Sequence, residues 1–112
     1  MPGAKLAPMA TTKKLHMITA VVQAHVGTKV INAALKAGAK GATYHHALGT
    51  GVRQTLGEAG EDIEIDKRVI FIVTETGKSD EVLRAVVETA ELDKPGQGFA
   101  CVQEIIRAFG IT

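Results

Sequence analysis

The stretch "KRVIFIVTETGKSDEVLRAVVETAEL", residues 67–92, decides the fold. Lys67 to Glu75 carry the run "VIFIV", β-branched and aromatic throughout. A short apolar run of that composition predicts a buried strand. Ser79 then stands where an N-cap belongs, and Asp80 and Glu81 follow at the positive end of the helix dipole. Val82, Leu83, Val86, Val87 and Ala90 recur at helical spacing and form one apolar stripe. The segment therefore reads as a strand feeding an amphipathic helix, one half of a strand–helix–strand unit.

The same order appears upstream. "KLHMITAVVQA" (Lys14 to Ala24) reads as a strand. In "HVGTKVINAALKAG", Val26, Val30, Ala34 and Leu35 share one helical face while Lys29 and Lys36 point elsewhere. Gly38 is placed to end that helix in the left-handed conformation. "KGATYHHAL" (Lys40 to Leu48) reads as the second strand. Downstream, Pro95, Gly96 and Gly98 break the second helix, and "FACVQEIIRAF" (Phe99 to Phe109) reads as a fourth strand. The order β-α-β-β-α-β predicts an α+β, ferredoxin-like domain: a four-stranded antiparallel sheet with two helices on one face and right-handed crossovers. Val21, Phe71 and Val73 supply more apolar side chains than one buried face needs. The uncovered face is thus expected to pack against other copies of the chain.

At 112 residues the chain has the length of one domain. Residues 1–12 read as a flexible N-terminus and 13–112 as the domain. The net charge of +1, with no Trp, one Tyr and three Phe, gives no argument for nucleic acid and no base-stacking surface. No apolar run approaches the length of a membrane span, and the start lacks a secretory h-region, so a cytoplasmic location is expected. Cys101 is the sole cysteine and lies in an apolar run, which predicts a buried, inert thiol.

Between the second and third strands lies a polar, glycine-bearing loop of about 16 residues, 49–64, where a hairpin needs about 2–5. Loops of that length in small domains are functional or disordered. "GTG" (Gly49 to Gly51) and "PGQG" (Pro95 to Gly98) are glycine turns that let backbone N–H groups approach an anion. Neither fits a P-loop or dinucleotide-binding fingerprint. The topology sets them apart in one subunit, so they would meet only across a subunit boundary. His45 and His46 are adjacent, and on a strand adjacent side chains face opposite ways, which makes them a poor pair for one metal ion. No metal site is assigned. No nucleophile–base set or carboxylate pair appears at an interpretable spacing, and nothing argues for an enzyme.

"TAELDKPGQGFACV" (Thr89 to Val102) resembles the helix end, B-loop and following strand of the PII nitrogen-regulatory signalling family. "GATYHHALGTGVRQ" (Gly41 to Gln54) resembles that family's strand and the beginning of its long T-loop. The resemblance implies a non-catalytic homotrimer that binds adenine nucleotides in clefts between subunits. It places the T-loop at about 49–64 and the B-loop at about 92–98. Matching pocket positions are Thr43, Gly49 and Gly51 on one side and Gly96, Gln97 and Gly98 on the other, with Val73 near the base and Arg107 as the only late arginine. The T-loop would present the state of the pocket to a target enzyme or membrane transporter, with Arg53, Gln54, Glu58 and Glu61 as contact residues. The protein would then be cytoplasmic and recruited to a membrane protein when its target is one.

The departures from the family are chemical. Phe99 stands where a phosphate-binding lysine follows the second B-loop glycine. Asp66 replaces a basic residue near the start of the third strand, with Lys67 and Arg68 beside it as substitutes. Each charge-assisted phosphate contact contributes about 1.5–3 kcal/mol, so their loss weakens a triphosphate most. ADP or AMP is therefore expected over ATP as the effector, and no cofactor is required. The loop is shorter than usual for the family, and its lack of Tyr and Ser argues against modification there. A second reading keeps the trimeric fold but gives it another small ligand, either a metal ion held by His45 or His46 with loop carboxylates, or bicarbonate.

Overall fold

The computed structural model describes residues 14–49 and 65–111. Its elements run β1 (Leu15–Gln23), α1 (Gly27–Lys36), β2 (Gly41–Gly49), β3 (Ile65–Glu75), α2 (Ser79–Ala90) and β4 (Gly98–Ile105). A single turn of 3-10 helix precedes each α-helix, at Ala24–Val26 and Thr76–Lys78. The strands form one sheet of order β2-β3-β1-β4, antiparallel at every pairing. This is the ferredoxin-like arrangement that the order of elements predicts.

Strand alternation sorts the sheet into two faces. Ile18, Ala20 and Val22 of β1 and Ile70 and Ile72 of β3 are fully buried. They pack with Val30 and Ala34 of α1 and with Val82, Val86 and Ala90 of α2 in one core cluster. The helix spacings explain this choice, because positions four apart stack on one face. Leu35 departs from its expected stripe and is 44% exposed. At a spacing of one from Ala34 it is turned too far around the helix to reach the sheet.

Gly38 ends α1 as expected, with φ +112. The Gly38 N–H donates to Leu35 and the Ala39 N–H to Ala34, which closes the helix with a Schellman motif. Helix α2 closes the same way, but its left-handed residue is Glu91, at φ 54. Ser79 corrects the expected cap. It is the first residue of α2 itself, and no side chain caps the helix. Its hydroxyl lies 2.9 Å from Nδ1 of His16 on β1, so it ties the helix to the sheet instead.

Two further expectations change. β4 stops at Ile105 rather than Phe109. Past it Ile106 is 93% exposed, and the chain makes one further β-bridge at Phe109. Cys101 is exposed, not buried, because it sits on the sheet face that no helix covers. Phe71 and Phe99 are also exposed there, at 36% and 57%. Among the described residues no helix is long and apolar enough to cross a membrane.

Candidate functional site

The uncovered sheet face carries a groove of about 460 Å³. Its floor comes from three strands in register. Met17 of β1 faces Val73 of β3, Val73 faces Gly41 of β2, and Thr43 faces Phe71. Lys40, Ala42 and the C-terminal residues Gly110 and Ile111 complete the lining. The Lys40 N–H donates to the Val73 carbonyl at 2.8 Å and fixes the start of β2 against β3. Its ammonium lies 3.8 Å from Glu75, a half-exposed pair of small energetic weight. No atom comes within 4 Å of where a Gly41 side chain would begin, so the glycine opens the groove rather than filling it.

Thr43 and Val73, two of the positions that the resemblance assigns to a pocket, thus line one groove. Gly49 lies six residues farther along β2, roughly 20 Å from Thr43. Gly51 and the loop residues Arg53, Gln54, Glu58 and Glu61 fall outside the described residues. Gly96, Gln97 and Gly98 sit at the β4 edge, across β3 and β1 from Thr43's strand, roughly 14 Å away in the pairing direction alone. Arg107 is exposed beyond the far end of β4 and meets neither group.

A series of contacts nonetheless runs from Gly49 across the sheet to the B-loop. Gly49 packs against the stem of Lys67, with 3.4 Å between a Cβ built on Gly49 and Lys67 Cγ. Lys67 pairs directly with Gln23 across β3 and β1. The Gln23 side-chain amide donates to the Gly96 carbonyl at 2.9 Å. Lys67 is buried along its stem, and that burial holds its pKa below the usual lysine range.

The B-loop is anchored at both ends. Glu91 and Lys94 form an exposed ion pair at 2.7 Å, which lowers the Glu91 pKa and raises that of Lys94. Gly96 and Gly98 both take positive φ, 80 and 133. A Cβ on Gly98 would overlap the Val21 carbonyl oxygen. Gly98 is therefore required by β1, independently of any ligand.

His45 and His46 face opposite sides of β2, as expected. The His45 ring lies 5.9 Å from Phe71, and Nδ1 of His45 donates to the His46 carbonyl at 3.0 Å. His46 instead lies 6.2 Å from Tyr44, over whose ring Arg68 sits at 5.9 Å. Among the described residues no group of three or more His, Cys, Asp or Glu is placed to hold a metal ion. Sequence reasoning missed Met17, Lys40, Gly41 and the Gly110–Ile111 wall. Strict alternation through Thr43 and Val73 would have found Gly41, because it shares their face. The wall leaves no such periodic mark.

The profile of the family "Nitrogen regulatory protein P-II" matches residues 15–109. The chain belongs to the P-II family. P-II proteins are non-catalytic signalling proteins, and this P-II protein is accordingly a signalling protein rather than an enzyme. Among solved structures, a PII protein of Arabidopsis thaliana bound to citrate superposes with a TM-score of 0.63 at 24% identity, over 83% of this chain and 78% of that one. A Bacillus cereus protein related to NIF3 superposes with a TM-score of 0.66 at 17% identity. That match covers 88% of this P-II chain but 27% of the Bacillus protein. At these identities the two structures speak for the fold alone. No curated protein matches the chain.

Proposed function

We propose that this P-II protein is a homotrimeric sensor of an adenine nucleotide, ADP or AMP in preference to ATP. One subunit offers the base and sugar the groove of Thr43 and Val73. The neighbouring subunit offers the phosphates its B-loop at Gly96, Gln97 and Gly98. Occupancy shifts the loop at 49–64, and Arg53, Gln54, Glu58 and Glu61 on it carry the change to a target enzyme or membrane transporter in the cytoplasm. The observation that carries this reading is the separation of the two half-sites to opposite edges of one sheet, in a member of a family whose proteins form trimers.

The preference for shorter phosphates rests on cations. Among the described residues Lys40 is the only cation of the groove lining, Phe99 occupies the position after Gly98, and Arg107 lies elsewhere. Titration calorimetry with AMP, ADP and ATP, run beside a light-scattering mass, tests the proposal. Saturable binding of ADP or AMP to a trimer supports it. A monomer, or no heat with any of the three, ends it.

A further inference from the structure

We propose that the outward face of α1 docks on the outward face of α2 of a second copy of the chain, in a two-fold, salt-sensitive contact. The contact uses the helix layer and not the groove, and it is independent of the nucleotide reading.

The chain divides by charge. All twelve Asp and Glu residues follow Gly57, so β1, α1 and β2 contain Lys29 and Lys36 and no acid. Helix α2 carries Asp80, Glu81 and Glu88, with Arg84 among them. The two helices are otherwise built alike. A turn of 3-10 helix leads into each. Gly27, Val30 and Ala34 are buried in α1, and Ser79, Val82 and Val86 hold the same places in α2. Aligned on those positions, Lys29 corresponds to Glu81 and Lys36 to Glu88. The helices thus share one pattern with its outward charges reversed.

These charges are available to a partner. All of Lys29, Lys36, Glu81 and Glu88 are exposed. Among the described residues none of them makes a hydrogen bond or an ion pair. Residues seven apart fall on one side of a helix, roughly 10 Å apart along its axis. Each helix follows its strand, and β1 and β3 are antiparallel, so α1 and α2 pack side by side in opposite directions. A two-fold axis parallel to the helices, between two layers laid face to face, sets each α1 antiparallel on the other copy's α2. Lys29 then meets Glu88 and Lys36 meets Glu81, twice over. The net charge of +1 leaves little repulsion between copies to oppose this. A single exposed pair is weak, but pairs closed by one symmetric contact act together. An unrelated acidic partner would satisfy α1 and leave α2 unmatched, whereas a second copy matches both. The open sheet face lies on the other side, so the two associations do not compete.

The test is light scattering on the full chain in roughly 0.01 M and 1 M sodium chloride, between which the Debye length falls from about 30 to about 3 Å. We expect the wild-type mass in low salt to be at least about twice that in high salt. Lys29→Glu with Lys36→Glu should keep the high-salt mass in both solutions, and so should Glu81→Lys with Glu88→Lys. The chain that carries all of these substitutions has the wild-type net charge and should regain the low-salt association. Thermal melting checks that each variant is folded, and should one pair variant fail, the other carries the test. Equal wild-type masses in the two solutions overturn the contact, even where polyglutamate binds the protein. Association that survives a pair variant overturns it too, as does a folded charge-reversed chain that stays at the high-salt mass.

Discussion

At the scale of single residues, four backbone and charge positions determine what may be changed. Gly98 looks in the sequence like a ligand-binding glycine, but its φ of +133 and the Val21 carbonyl against it make it a structural requirement first. Gly98→Ala should lose about 3 kcal/mol in urea denaturation, from a strained dihedral and a backbone overlap together. The phosphate role proposed for the B-loop is better tested at Gln97, where Gln97→Glu adds charge without bulk. That variant should weaken ADP about tenfold and leave adenosine unchanged in calorimetry. Glu91 shows the reverse case. It holds a left-handed conformation that costs a side chain about 1–2 kcal/mol, and its ion pair to Lys94 is exposed. Glu91→Gly should raise stability by about 0.5 kcal/mol, visible as a higher melting temperature. Lys67 sets a pH signature. Burial lowers its pKa in the folded chain, so between that value and the unfolded value of about 10.4 the unfolded chain binds more protons. Stability therefore gains from this group as pH rises through that window. Lys67→Met should remove the gain and show its advantage over wild type below the window, in melts taken across the alkaline range.

At the scale of elements, legibility followed sequence distance. The strands and helices announced themselves because a period of two and a period near four are written locally, and Gly38 ended α1 where a left-handed residue was needed. Ser79 misled because its hydroxyl found His16, 63 positions away, in preference to its own helix. The amide of Gln23 reaches the B-loop across 73 positions, which no local pattern records. Cys101 was misjudged because an apolar run does not say which sheet face lacks a helix. The Gln23 contact gives a prediction of its own. Gln23→Leu removes the donor to the Gly96 carbonyl while keeping the size of the side chain. Amide exchange across residues 93–98 should quicken by about tenfold, while exchange in α1 stays the same. Equal protection in both proteins would show that this contact does not hold the loop.

At the scale of the whole molecule, the question is what covers the open face. Phe99 pairs with Val21, and Val21 with Val69, so an apolar row crosses β4, β1 and β3. Phe71 lies in the next row, between Thr19 and Thr43. A face of this composition, opposite a helix layer that already satisfies the core, is what a subunit interface of a closed oligomer requires. The same assembly would bring one subunit's B-loop toward another's groove, so association and ligand binding should fail together. Phe99→Asp places an unpaired carboxylate in that interface, where desolvation outweighs any contact it makes. Leu35, 44% exposed on α1, is the matched control on the helix side. Light scattering should give Phe99→Asp about one-third of the wild-type mass, together with loss of nucleotide heat, whereas Leu35→Asp keeps both. A trimer that survives Phe99→Asp would mean that this face is not the interface, and the nucleotide half-sites would then have to meet by some other route.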